Sequence, residues 1–330
     1  MYPFTNVSKM DESGVTALPL KITDPAAETT GPRVPCRSGV IAAGPAGPDG
    51  PNEETAMTDQ AKPAAEQAWS PLYFLAALGA GGLTVTFFMY LMFWVPHPGQ
   101  PVPVFEDIAA HFAASGALGK AMVATAVGGI AVFAALHIKL LVWNLRKLAQ
   151  FRRSDAYARL HTTNAESQLK GVPLTLAMAV NVGFILGLVF VPGLWGIVEY
   201  LFPLAIAAFV AIGVFAFRLL GRFLGRILAE GGFDTRANTS FAQLLPAFAL
   251  AMVGVGLAAP AAMSTTPWSV GTSLVLSTLF VTAALLIAAV MLTLAVVSMV
   301  QHGTAAEAAP TLMILVPIVT VIGIAWMRTS

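Results

Sequence analysis

Seven long apolar stretches, nearly free of charge, constrain this chain more than any other feature. They run from residues 71 to 95, 119 to 145, 172 to 191, 197 to 220, 241 to 260, 270 to 299 and 310 to 327. About 20 apolar residues in an α-helix cover the hydrocarbon core of a bilayer. Inside that core each segment must satisfy its own backbone donors and acceptors, so runs of this kind form helices. Composition agrees, because only 11% of the 330 residues are charged and 57% are hydrophobic, whereas a soluble domain carries about 25% charged residues. The expected fold class is an all-α polytopic membrane protein built of helical hairpins. With Cys36 as the single cysteine, a disulfide framework within the chain and a cysteine-rich metal site are both excluded.

Two regions are expected. Residues 1 to 68 scatter Pro, Gly, Thr and acidic residues without an apolar run, which predicts a disordered, cytoplasmic N-terminal segment. Residues 69 to 330 form the transmembrane helical domain. Met57 opens a short polar lead, MTDQAKPAAEQAWS, into the first span, and we expect it to serve as a start of translation.

Charge is segregated between the connections. Arg146, Lys147, Arg152, Arg153, Arg159 and Lys170 follow the second span, and Arg218, Arg222, Arg226 and Arg236 follow the fourth, while Lys120 stands alone on the other side. The positive-inside rule makes the basic connections cytoplasmic. The chain is therefore expected in the cell (inner) membrane with its N-terminus in the cytoplasm. Trp69, Trp94, Trp143, Trp195, Trp268 and Trp326 fall near span ends, as an interfacial aromatic belt requires. Nothing in this charge pattern suits nucleic acid.

Pro173, Pro246 and Pro317 recur at intervals of roughly seventy residues, a repeat the length of one helical hairpin. They fall in the third, fifth and seventh spans, and the first span carries Gly79, Gly81 and Gly82 instead. The second and sixth spans have no proline, and Pro203 lies near the start of the fourth. Irregular backbone at membrane depth persists only where protein or a water-filled cavity surrounds it. The odd spans are thus expected inside and the even spans outside, facing lipid.

The motifs GVPLTLAMAVN in the third span, FAQLLPAFALAMVGVG in the fifth, APTLMILVPIV in the seventh and PLYFLAALGAGGL in the first resemble the TehA-like tellurite-resistance and C4-dicarboxylate transporter superfamily. That superfamily includes the slow anion channels of plant guard cells, and a TsoY-like branch also fits. The resemblance implies ten helices in five hairpins around a central pore, with the odd helices inside and kinked by proline or glycine. It also implies passive passage of a small anion or dicarboxylate. Gly79, Gly82, Thr84, Pro173, Asn181, Pro246 and Pro317 are the resulting pore-lining or kink candidates. The sequence ends after a seventh span, so a longer parent protein is expected. The family's ninth helix, with its pore-occluding phenylalanine, has no counterpart, and gating is not carried over.

Asn181 is the sharpest polar residue in any span. An amide left unpaired in hydrocarbon costs roughly 2 to 7 kcal/mol, so it needs a partner, either an anion at a pore wall or a neighbouring helix. Thr84, Thr86, Thr175, Gln243, Thr311 and Thr320 are weaker candidates. His137 is expected to be a packed or interfacial histidine rather than a ligand, and Lys139 to snorkel to the headgroups. Arg218, Arg222 and Arg226 lie four apart on one helix face, which suits lipid headgroups. No Asp or Glu lies deep in a span, so the acidic relay of coupled transporters is missing and passive transport is favoured. There is no haem-ligand pattern, no HExxH motif, no catalytic set, no metal site and no cofactor motif. The expected partners are the lipid bilayer and a small anion, with room for a homo-oligomer. The competing class is a non-conducting structural or lipid-binding membrane protein with a sealed central bundle.

Overall fold

The computed structural model describes residues 69–161, 163–231, 240–303 and 311–329. The expectations for residues 1–68, for Met57 and for Arg236 lie outside the described residues. Seven helices are long and apolar enough to cross a membrane: 71–94, 117–151, 165–190, 194–229, 241–263, 267–302 and 311–329. The chain is an all-α integral membrane protein.

The helices are α1 (Phe74–Trp94), α2 (Phe105–Ala114), α3 (Ala117–Phe151), α4 (Asp155–Leu160), α5 (Gly171–Phe190), α6 (Val198–Glu230), α7 (Leu245–Met263), α8 (Pro267–His302) and α9 (Leu315–Thr329). The even spans correspond to α3, α6 and α8, with 35, 33 and 36 residues. Each exceeds the ~30 Å hydrocarbon thickness at 1.5 Å per residue. Their extra turns lie at one end of the bundle, and Arg146, Lys147, Arg218, Arg222 and Arg226 sit on those turns. Arg146 and Lys147 thus belong to α3 and not to a connecting loop as the sequence suggested, while Arg218, Arg222 and Arg226 lie on α6 as their spacing of four implied. Lys, Arg, Leu and Ala are all good helix formers, so the helix does not stop where the apolar run stops.

The odd spans share a lead-in at that same basic end. A 3-10 turn at Pro71–Tyr73 precedes α1, one at Asn164–Lys170 precedes α5, and one at Phe241–Leu244 precedes α7; residues 311–314 do the same for α9. Pro173, Pro246 and Pro317 each fall within the first three residues of their α-helix. There the missing N–H has no intrahelical acceptor to lose. The prolines therefore mark where a 3-10 turn becomes an α-helix, in the first turn and not in the middle of the span. Pro260, which lies inside α7 near its far end, is a helix-interior proline that the spacing did not single out.

The core is centred on α7, which packs against α5, α6, α8 and α9. In its most apolar stretch 89% of residues are buried, against 56% for the third span and 39% for the first. The even spans fall to between 22% and 33%. Burial thus follows the odd-inside pattern over six spans, but the seventh departs, at 17%. Close approach explains how α7 is enclosed. A Cβ at Gly254 would sit 2.7 Å from Val281 Cγ2, and one at Gly256 would run into the Phe209 ring. The facing side of α8 offers Ser269, Ser273 and Ser277, and Ser277 Oγ donates to Gly254 O at 2.8 Å. Small residues of this kind let membrane helices approach to backbone contact.

Candidate functional site

At the basic end the 3-10 turn before α5 carries a charged cluster. Glu166 and Lys170 are both buried. The Glu166 carboxylate accepts from Arg226 Nη2 at 3.2 Å and Nε at 3.3 Å through one oxygen, and pairs with His161 Nδ1 at 3.0 Å through the other. Arg226, placed by the sequence on a lipid-facing stripe, is thus held by a carboxylate sixty positions away and by Thr163 O. Lys170 Nζ donates to Glu166 O at 3.1 Å and lies 4.1 Å from the centre of the Phe223 ring. Among the described residues no carboxylate comes within ion-pair distance of it. Lys170 Nζ thus rests on a carbonyl and a π face, with Glu166 and Arg226 both close enough to act on it electrostatically.

A polar seam joins the beginnings of α1 and α5 to the end of α3. Asn144 is fully buried. Its Nδ2 donates to Tyr73 O at 3.1 Å and Leu140 O at 2.9 Å, and its Oδ1 accepts from Trp69 Nε1 at 3.0 Å. Thr175 Oγ1 lies 3.1 Å from Phe74 O and 2.8 Å from Gly171 O. Ser70 Oγ donates to Gln168 Oε1 at 3.2 Å, and Phe241 N donates to Thr311 Oγ1 at 3.1 Å. His137 is a packed histidine, with Nδ1 2.7 Å from Ala77 O and Nε2 buried without a partner among the described residues.

At the opposite end, Asn181 borders a cavity of about 60 Å³ between α5, α6 and α7, walled mainly by Phe184, Trp195, Phe202, Phe209 and Met263. Its Nδ2 donates to Ala177 O at 3.2 Å and points to Met252 Sδ on α7 at 3.7 Å. A thioether is a weak acceptor, so the amide is only lightly held. Beyond the cavity, Glu199 at the start of α6 knots the α7–α8 turn. It accepts from Ser264 Oγ and Thr265 N, both at 2.7 Å, and from the Thr265 and Thr266 hydroxyls.

The other sequence candidates are dispersed. Gly79 is exposed and Gly82 half-buried, and an added Cβ at either meets nothing within 4 Å. Gly81 is where α1 is tightly packed, since its Cβ would lie 2.9 Å from His137 Nδ1. Thr84 is buried with its hydroxyl on Ala80 O at 3.1 Å. Pro173 and Pro246 are buried near the basic end, and Pro317 is half-buried there. Thus Asn181 alone of the candidates borders the cavity. Sequence reasoning passed over Glu166 and Asn144, and it counted Lys170 only as a loop charge. The available signal was a Glu and a Lys four residues apart, abutting an apolar run. The chain matches no family model, no curated protein and no solved structure.

Proposed function

We propose that this protein lies in the cell (inner) membrane with its basic end and N-terminus in the cytoplasm, and gives passive passage to a small anion or dicarboxylate. The supporting observation is Lys170, buried where the inner helices begin and, among the described residues, without a carboxylate within ion-pair distance. The N-termini of α1, α5, α7 and α9 all lie at that end, and helix N-termini carry positive partial charge. The C-termini of the outer helices carry negative partial charge, and the arginines and lysines of α3 and α6 lie toward that end but ahead of the last turns. The inner part of this end therefore favours an anion. The motif resemblance to TehA-like transporters points the same way. Asn181, lightly held beside the cavity, would donate to the anion as it passes.

The sealed-bundle reading keeps one observation in its favour: the cavity beside Asn181 is small and almost wholly apolar. Currents across a planar bilayer under a salt gradient distinguish the two. The anion reading expects a reversal potential near that of the anion, moved toward zero by Lys170→Met and restored by Lys170→Arg. A cation-selective current, or selectivity unchanged in Lys170→Met, contradicts it.

A further inference from the structure

A second feature lies at the end opposite the basic turns. Between α2, the beginning of α3 and the end of α5 runs an open groove of about 230 Å³, lined by Phe105, Ile108, Phe112, Val123, Val127 and Phe190 among others. The lining is almost wholly apolar, and the volume is below the ~300 Å³ at which drug-sized ligand pockets begin. A hydrocarbon chain fits both properties.

The groove is built, not incidental. At the start of helix α2, Val104 N donates to Asp107 Oδ2 at 3.2 Å. It is tied to the α5–α6 turn by Gly193 N donating to Glu106 Oε1 at 2.6 Å. Both carboxylates of α2 are therefore engaged with backbone. Ile108 is buried between α2 and the bundle, so the helix is fixed over its neighbours. At the mouth, Lys120 Nζ sits 5.8 Å from the centre of the Phe112 ring. Lys120 shares one face of α3 with the groove residues Val123, Ala124 and Val127, by i, i+3, i+4 and i+7 spacing. No carboxylate pairs with it among the described residues.

We infer that this groove is a binding site for an anionic phospholipid, with one acyl chain along Phe112, Val123 and Val127 and the headgroup phosphate on Lys120. The two requirements, an apolar trough and an unopposed cation at its mouth, match the two halves of that molecule and of no zwitterionic lipid equally. One basic residue near an anionic lipid surface gives a preference of about fivefold.

The test uses the full chain in nanodiscs with phosphatidylglycerol or phosphatidylcholine carrying a photoactivatable acyl chain, and the cross-linked peptides are mapped by mass spectrometry. We expect peptides from 105–127 to be labelled about fivefold more by phosphatidylglycerol. Lys120→Gln should equalise the two lipids, and Ala124→Trp, which fills the trough, should remove the label there while leaving label at the basic end. Equal labelling of the wild-type groove by both lipids overturns the inference, as does an unchanged preference in Lys120→Gln. The wild-type comparison decides the matter if a variant fails to fold. Anion passage plays no part in this readout, so the site stands or falls separately from transport.

Discussion

Helices α7 and α9 begin alike and end up in opposite surroundings. Each follows a 3-10 turn at the basic end, and each carries a proline within its first three residues. Yet 89% of the fifth span is buried while 17% of the seventh is. On α9 only Ile318 and Ala325 are buried, and Val316, Val319, Trp326 and Met327 face outward. The difference teaches that the proline lead-in fixes how a helix begins and says nothing about what covers it. Lipid tails are as apolar as leucine, so an apolar helix is equally content in either place. Enclosure comes from small residues, and α7 has Gly254 and Gly256 against Val281 and Phe209. Gly323 on α9 meets nothing.

This contrast can be broken by substitution, with unfolding followed in micelles by loss of helical signal as SDS is added. The largest effect is expected for Gly256→Leu, which overpacks against Phe209 and should cost about 3 kcal/mol. The matching change on α9, Gly323→Leu, should cost close to nothing. Equal losses would remove the distinction between the two helices. Thr311→Val deletes the acceptor for Phe241 N and loosens α9 from the beginning of α7, at about 1 kcal/mol. Ser277→Ala removes the bond to Gly254 O and is expected to cost about 0.6 kcal/mol, the average for such bonds between membrane helices. The smallest effect is Gly323→Ala, neutral or stabilising by up to about 1 kcal/mol through helix propensity. A large loss there would reveal a covering that the fold does not show.

The spans themselves were legible because length and hydropathy alone decide what can cross a bilayer. The odd-inside pattern was legible as far as the fifth span, since prolines and glycines follow the chain's own backbone needs. Its failure at α9 was not legible, because α7 and α9 are equally apolar and burial depends on neighbours. The ends of α3 and α6 were misplaced for a local reason: charged helix formers continue a helix beyond the apolar run. Of the candidate site, Asn181 stood out as an amide in hydrocarbon. The Glu166–Arg226 pair joins positions sixty residues apart, and no local pattern carries that information. The Lys170 side chain looked like one more cytoplasmic charge until the fold closed Phe223 over it.

Anion flux into proteoliposomes holding the complete protein tests the central proposal most directly. Liposomes with wild-type protein should admit a small anion or dicarboxylate down its gradient, without a coupled proton or sodium gradient, and faster than empty liposomes. Asn181→Leu should admit it measurably more slowly at equal protein incorporation. Flux no faster than in empty liposomes would contradict the proposal and leave the sealed bundle as the reading of this fold.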